Sequence, residues 1–322
     1  MASLLALVLP FFGLILLGYL AARFTPLRHA GADGLAWLNA YVLYLALPAL
    51  FFTLISRTPI EELARFDFIA VDLAATYAVF LLVFLLSRLV RGNGIAESTV
   101  QALAGCYGNI GYMGPGIALL ALGEKAAVPV ALIFSFENVA HFIAAPAMMA
   151  LAGGETARPL RLAGQVARRI LLHPFILATL IGVGAAGLHL QPPAALDRLI
   201  AMLSPTAAPC ALFAMGVTLG LRPLTRVPAE IFYIVPAKLL LHPILVGLAL
   251  LLVGGFDPLW VEAAVLMAAL PTAASVYVIA EQYQLWQQRA SATILISTGL
   301  SVVTVSGLIY LLHTGILPTA LR

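Results

Sequence analysis

Ionisable and amide side chains stand inside long apolar stretches of this sequence, where water cannot solvate them. Glu137 and Asn138 are adjacent in the phrase FSFENVAH, at the middle of such a stretch. A charged group inside a membrane span costs at least about 2.5–3.5 kcal/mol, so it needs a partner or a role. A buried carboxyl group can bind and release a proton, and an amide can donate to an anion. We interpret this pair as a proton or anion site, with hydrogen bonding between helices as the structural alternative.

Lys238 and Asp72 are a second pair of candidates, and they lie about half a chain apart. Either residue could exchange a proton or balance the charge of a bound molecule. Asp72 follows the start of its apolar stretch by only a few residues, so an interfacial position that reaches water is equally open. Histidines such as His141 and His242 have no zinc-ligand spacing, and we expect them to be packing or interfacial residues.

Glycine and proline interrupt one apolar stretch in the sequence CYGNIGYMGPGIALL, and Pro271 interrupts another more mildly. Gly costs about 1 kcal/mol and Pro about 3 kcal/mol relative to Ala inside a helix, so a continuous helix is not expected. A helix that restarts after such a break turns free backbone N–H groups toward an anion, whereas a packing kink is the alternative. The residues expected to bind an organic anion are Asn109, Gly111, Gly114, Pro115, Asn138, Pro271, Thr272 and Ser275.

The composition is that of a membrane protein. The 322 residues are 62% hydrophobic and 10% charged, whereas soluble domains have about 45–50% apolar and about 25% charged residues. The basic residues form no stripe that would bind nucleic acid. Metal-hydrolase and serine-hydrolase motifs are absent from the sequence. We therefore expect no enzyme activity, no cofactor, no metal and no nucleic-acid partner.

About ten apolar stretches are each long enough to cross a bilayer, which takes roughly 20 residues. They lie at residues 4–22, 35–55, 68–89, 99–122, 127–151, 170–190, 199–219, 231–253, 259–283 and 290–312. A signal peptide is disfavoured for the first stretch, because no basic residue precedes it.

Lysine and arginine are distributed unequally between alternate links, and cytoplasmic links carry the excess. The links after odd-numbered stretches hold 11 of these residues, namely Arg23, Arg28, Arg88, Arg91, Arg158, Arg161, Arg168, Arg169, Arg222, Arg226 and Arg289. The opposite side holds 5, namely Arg57, Arg65, Lys125, Arg198 and Arg322. We expect an inner-membrane protein with both termini on the non-cytoplasmic side.

Short phrases recur about half a chain apart, which is typical of transporters with internal repeats. Pro10, Phe11 and Gly18 return as Pro174, Phe175 and Gly182, LPALFF is answered by APCALF, and GYMGPG by AALPTA. Because each half has five stretches, an odd number, the second half must enter from the opposite side. We predict an all-α membrane protein with ten transmembrane helices in two inverted five-helix repeats.

The chain resembles the auxin efflux carrier family over nearly its whole length. The most specific phrases are NAYVLYLALPALFF, GNIGYMG, CALFAMGVTL, AALPTAASVYVIAEQY and ATILISTGL. The resemblance implies broken crossover helices 4 and 9 that hold the anion, and elevator-type alternating access. It also implies a scaffold of helices 1, 2, 6 and 7, a transport domain of the other six, and a homodimer. The expected division is a first repeat at 1–152, a cytoplasmic linker at 153–168 and a second repeat at 169–322.

The function predicted is secondary transport of a small mono- or dicarboxylate, coupled to protons. Two alternatives stay open at this point. A sodium-coupled carrier of the bile-acid or cation/proton antiporter type would need several carboxylates or amides at the crossover, and the sequence offers few. A membrane sensor would bind a carboxylate without moving it.

Overall fold

The computed structural model describes residues 2–26, 31–153, 168, 172, 174–221 and 227–314. Over these residues the secondary structure is helical, apart from one isolated bridge between two residues. Six of the described helices are long and apolar enough to span a membrane. They are Asp33–Ser56, Phe66–Val90, Glu124–Leu151, Ala194–Leu221, Ile231–Val253 and Gln287–His313, with shorter apolar helices at Phe12–Phe24, Ile176–Gly187 and Pro258–Ala268.

The chain folds into two compact units. The first consists of Met1–Arg65, Tyr112–Leu132 and Leu171–Pro223, and the second of Phe66–Gly111, Ile133–Ile170 and Leu224–Arg322. Most of the predicted linker at 153–168 lies outside the described residues. Helix Ala127–Leu151 contributes its residues up to Leu132 to the first unit and the rest to the second.

The first unit is built on close helix packing. Glycines on helices Ala2–Phe24 and Ala207–Leu221 let the two backbones approach, and an added Cβ at Gly216 would lie 2.8 Å from the backbone nitrogen of Tyr19. Small residues of this kind are what membrane helices use to pack without a hydrophobic driving force. The helices of this unit are Ala2–Phe24, Gly31–Tyr41, Val42–Ala46, Leu47–Ser56, Ile60–Leu63, Gly114–Leu122, Glu124–Ala126, Pro174–Gly187, Ala194–Leu203, Ser204–Thr206 and Ala207–Leu221.

The second unit packs helix Phe66–Leu85 against Ile95–Cys106 and His242–Val253. Phe68 contacts Trp260 edge to face, with ring centroids 4.9 Å apart. The helices of this unit are Phe66–Leu85, Leu86–Val90, Ile95–Cys106, the remainder of Ala127–Leu151, Ile231–Pro236, Ala237–Leu241, His242–Val253, Pro258–Ala268, Ala274–Gln282 and Gln287–His313.

Helix boundaries follow local chemistry. Gly123 and Gly254 have positive φ angles of 84° and 72° and end the helices that precede them, a conformation that glycine adopts without strain. Asp257 caps the next helix, because its carboxylate accepts the N–H of Leu259 at 2.8 Å. Within the described ranges three short segments are π-helical, and one of them, Ala237–Leu241, contains Lys238. Such segments occur often at functional sites.

Candidate functional site

Two helices of the second unit stop at neighbouring positions and pair there. Helix Ile95–Cys106 ends just before Tyr107, and helix Pro258–Ala268 gives way to a short extended segment before Ala274. The backbone N–H of Asn109 donates to the carbonyl of Pro271 at 2.7 Å, and that of Ala273 donates to the carbonyl of Tyr107 at 2.9 Å. Each segment thus satisfies backbone groups that the other loses on leaving its helix, as a low-dielectric environment requires.

The side chains around this paired backbone hold it in place. Gly108 faces Thr272 across the antiparallel bridge. An added Cβ on Gly108 would lie 3.3 Å from Lys238 Nζ, so a larger residue would crowd the ammonium. Thr272 Oγ1 donates to the carbonyl of Ala104 at 2.8 Å, and its backbone N–H donates to Ser297 Oγ at 3.2 Å. The break is therefore held by hydrogen bonds to two helices, Ile95–Cys106 and Gln287–His313.

A hydrogen-bonded chain runs from Lys238 to Glu137. Lys238 Nζ bonds the carbonyl of Ala268 and lies 3.0 Å from His242 Nδ1. His242 Nε2 lies 2.9 Å from Thr76 Oγ1, which donates to Glu137 Oε1 at 3.1 Å. An ammonium only donates, so Nδ1 of His242 accepts and its Nε2 carries the hydrogen. The chain therefore has one direction, from the cation to the carboxyl group.

Charge in this cluster is concentrated and buried. Lys238 is 0% exposed, and Asp72 and Glu137 are each 2% exposed. The Asp72 carboxyl interacts with both Glu137 and Lys238. Two carboxyl groups thus share one ammonium, and with all three ionised the cluster carries one net negative charge.

Asn138, which follows Glu137 in the sequence, belongs to a group of aromatic and amide side chains. Tyr107 donates its hydroxyl hydrogen to Asn138 Oδ1, and Asn138 Nδ2 donates to the carbonyl of Phe134 at 2.6 Å. The ring of His141 lies 4.2 Å from that of Tyr107, and His141 Nδ1 is 3.3 Å from the hydroxyl of Tyr77. His141 Nε2 is buried without a hydrogen-bond partner.

The structure brings most of the predicted residues into the second unit. Asn109, Pro271 and Thr272 form the paired break, and Ser275 lies half-buried in the first turn of the helix that follows it. Gly111 lies in the same unit, where an added Cβ would be 2.9 Å from the ring of Phe134. Two predicted residues belong to the first unit, Gly114 and Pro115, where helix Gly114–Leu122 begins.

The sequence analysis did not identify Thr76 and Tyr107 as members of the site, and it predicted His141 and His242 only as packing or interfacial residues. Their positions carried a usable signal. Thr76 follows Asp72 by one helical turn, His242 follows Lys238 by the same interval, and Thr76 and His242 are 166 residues apart. The expectation that His242 is a packing histidine describes only its burial, because both of its nitrogens are engaged in the chain.

The first unit contains a separate cavity of about 850 Å³. Its walls include the exposed ion pair of Arg57 and Asp197, together with Glu61 and His189. None of the predicted site residues lines it. Among the residues with described positions, no group of three or more His, Cys, Asp or Glu could hold a metal ion.

The protein combines a buried polar site with apolar helices that are long enough to span a bilayer. These features define a multi-pass membrane transporter, and its family follows from its similarity to known proteins. The family described as "Membrane transport protein" matches residues 3–151 and 134–309. The chain belongs to this family of auxin efflux carriers, whose members are transporters and not enzymes.

Two relatives place the chain more closely. It is 63% identical over 321 residues to a Rhizobium meliloti (strain 1021) protein described as "Putative malonate transporter", covering 100% of this chain and 99% of the relative. It is 25% identical over 293 residues to an "Uncharacterized transporter" of Methanothermobacter thermautotrophicus (strain ATCC 29096 / DSM 1053 / JCM 10044 / NBRC 100330 / Delta H), covering 90% of this chain and 92% of that one.

Proposed function

We propose that this protein is a secondary transporter of a small organic anion, a mono- or dicarboxylate of about the size of malonate. The observation that carries the proposal is the pairing of two interrupted helices beside a buried ammonium and a buried amide. The similarity to the Rhizobium protein supports the size and charge of the substrate.

The anion is held at the paired break of the second unit. Helix Ala274–Gln282 begins there, and the first N–H groups of a helix carry partial positive charge. Asn109 and Asn138 supply amide donors, and Ser275 supplies a hydroxyl. Gly111, Pro271 and Thr272 shape the backbone against which the carboxylate lies. Lys238 offsets the negative charge of the substrate without leaving its hydrogen bonds. Gly114 and Pro115, in the first unit, stay a prediction from sequence.

Transport is coupled to protons through the carboxyl groups. Asp72, Glu137 and Lys238 together carry a net charge of −1 when ionised, which opposes entry of an anion. A proton bound by the carboxyl pair brings the cluster to neutrality. Anion binding and proton binding then favour each other, which is the condition for symport. We assign the exchanged proton to Glu137 because its carboxyl group also accepts the hydrogen bond at the end of the chain from Lys238.

The movement proposed is elevator-type alternating access. The second unit carries the anion, and the first unit, with the helices predicted as a scaffold, stays fixed and forms a homodimer. The two halves of the chain, residues 1–152 and 169–322, are inverted five-helix repeats in the bacterial inner membrane. Thr76 and His242, which occupy equivalent places in the two halves, bond each other and support this repeat.

Flux into liposomes tests the proposal. Purified protein is reconstituted, and uptake of radiolabelled malonate is measured with a pH gradient, with a sodium gradient and with malonate inside for exchange. We expect exchange in the vesicles loaded with malonate. In unloaded vesicles we expect net uptake with the pH gradient and none with the sodium gradient. Uptake driven only by sodium would favour the sodium-coupled alternative, and binding without flux would identify a sensor. If no carboxylate in a panel is bound or transported, the proposed function itself is contradicted.

A further inference from the structure

The orientation of the Asn138 amide is fixed by its two neighbours. The carbonyl of Phe134 can only accept a hydrogen bond, so the nitrogen of the amide must face it, at 2.6 Å. The oxygen of the amide therefore faces the hydroxyl of Tyr107, which donates to it. Nδ2 carries two hydrogens and uses one of them. The other remains as a donor from a side chain that is only 5% exposed.

Tyr107 cannot move away from this position without breaking the paired backbone. It is the first residue after helix Ile95–Cys106, and its carbonyl accepts the N–H of Ala273 at 2.9 Å. Its ring lies against that of His141, and the whole residue is 1% exposed. The hydroxyl is thus fixed from the backbone side by the break and from the ring side by His141.

We propose that Tyr107 is a positioning residue that keeps Asn138 turned as a hydrogen-bond donor, so that the site selects a carboxylate over a neutral carboxamide. With the Tyr107 hydroxyl in place, a rotated amide would set its nitrogen against that hydroxyl and its oxygen against the carbonyl of Phe134. The amide oxygen and the carbonyl oxygen of Phe134 would then repel each other, because neither carries a hydrogen, and the Tyr107 hydroxyl would have to turn in order to accept from the nitrogen. Rotation is therefore disfavoured. Without the hydroxyl, one of the two groups that hold the orientation is lost. The inference rests on the proposed function, since it assigns a ligand preference to the same site.

The substitution Tyr107→Phe tests this, because it keeps the ring and removes only the hydroxyl. Uptake of malonate and of malonamate, in which an amide replaces one carboxylate, is measured in liposomes with wild-type and variant protein. We expect the KM for malonate to rise about tenfold, the effect of losing one oriented hydrogen bond to a charged group. The KM for malonamate should change much less, so the ratio of the KM for malonamate to the KM for malonate should fall. A purely structural role would raise both values together.

Tyr233→Phe is the matched control. Tyr233 lies in the same unit and also donates its hydroxyl to a side-chain amide oxygen, but that amide belongs to Gln101, which is not among the residues proposed to bind the anion. We expect it to leave the ratio of the two KM values unchanged. In an Asn138→Ala background, Tyr107→Phe should have no further effect on that ratio.

The outcomes separate this inference from the function it rests on. If the wild-type protein transports malonate but the ratio of the two KM values is unchanged in Tyr107→Phe, the inference is overturned and the proposed function is not. A loss of both substrates in equal proportion would assign Tyr107 to folding and would overturn it as well. Wild-type protein with no malonate binding or flux would contradict the substrate proposed above, and the inference with it.

Discussion

Lys238 is a fully buried cation whose stability depends on acidic side chains from two other helices. Its ammonium bonds the carbonyl of Ala268 and His242 Nδ1, and Glu137 and Asp72 supply the opposing charge. Removing a buried charge from water costs several kcal/mol, and only partners in good geometry offset that cost. Breaking the group by removing one member leaves uncompensated charge behind.

Replacing Lys238 with methionine should therefore destabilise the protein by about 3–5 kcal/mol, the usual cost of removing one partner from a buried ion pair. The measurement is the melting temperature of purified protein in detergent. Lys238→Met combined with Glu137→Gln should recover part of the loss, because the second change removes one of the two carboxylates left behind. Lys125→Met is the control, since Lys125 is exposed and is the other lysine of the chain. Equal melting temperatures for the two single variants would contradict the argument.

Glu137 is expected to couple transport to the pH gradient. In Glu137→Gln the amide keeps the shape of the side chain but cannot bind and release a proton. Net uptake driven by a pH gradient should fall to background, while exchange of internal for external malonate continues. Glu281→Gln, which changes an exposed carboxylate on helix Ala274–Gln282, should leave both activities intact. Gradient-driven uptake that survives in Glu137→Gln would remove Glu137 from the coupling mechanism.

At the scale of elements, the first unit depends on glycines that let two helices touch. Gly18 on helix Ala2–Phe24 and Gly216 on helix Ala207–Leu221 each face the backbone of the other helix. An added Cβ on Gly18 would lie 3.0 Å from the backbone nitrogen of Val217, and one on Gly216 would lie 2.8 Å from that of Tyr19. A backbone cannot yield as the end of a flexible side chain does, so even one methyl group forces the helices apart.

Gly216→Ala should accordingly lower the free energy of unfolding by about 1–3 kcal/mol, as overpacking does elsewhere. Gly13→Ala makes the same chemical change in helix Ala2–Phe24, but its Cβ would meet no atom within 4 Å. There the better helix propensity of alanine should leave the stability unchanged or raise it by up to about 1 kcal/mol. Thermal unfolding of the two variants side by side checks the difference. A Gly216→Ala protein as stable as Gly13→Ala would show that the contact is not tight.

Helices and helix ends can be predicted from the sequence where the signal is local. The stretches predicted at 68–89, 127–151 and 290–312 are helical throughout, and the glycine and proline cluster after Cys106 does end a helix. The partner of that break could not be predicted from the same signal. Pairing of Asn109 with Pro271 depends on the relative position of segments far apart in the chain. The π-helical segment around Lys238 was missed because local propensity does not distinguish it from an α-helix.

The buried cluster illustrates the same limit for side chains. Glu137 and Lys238 are conspicuous in sequence because a charge in an apolar stretch demands an explanation. Thr76 and Tyr107 are not, since their side chains carry no charge that has to be compensated inside a membrane helix. What makes these two residues important is the hydrogen bond each donates, and that depends on tertiary structure.

For the whole molecule, the distribution of basic residues predicts how the chain lies in the membrane. Links on one side hold 11 lysines and arginines and links on the other hold 5. Four of the 11, Arg158, Arg161, Arg168 and Arg169, lie in or beside the predicted linker at 153–168. Because positively charged links are retained in the cytoplasm, this linker should be the most strongly retained one.

Reporter fusions in a bacterial host test that orientation. Alkaline phosphatase is active only outside the cytoplasm, so it should be active when fused after Arg322 and inactive when fused within the linker. A fluorescent protein that folds only in the cytoplasm should give the opposite pattern. Replacing the four linker arginines by glutamine should weaken the retention and raise phosphatase activity at the linker fusion. Replacing Arg57 and Arg65, which lie on the other side, should not change the phosphatase activity at the linker fusion. Strong phosphatase activity at the unmodified linker would reverse the predicted orientation, and with it the direction in which a pH gradient has to drive uptake.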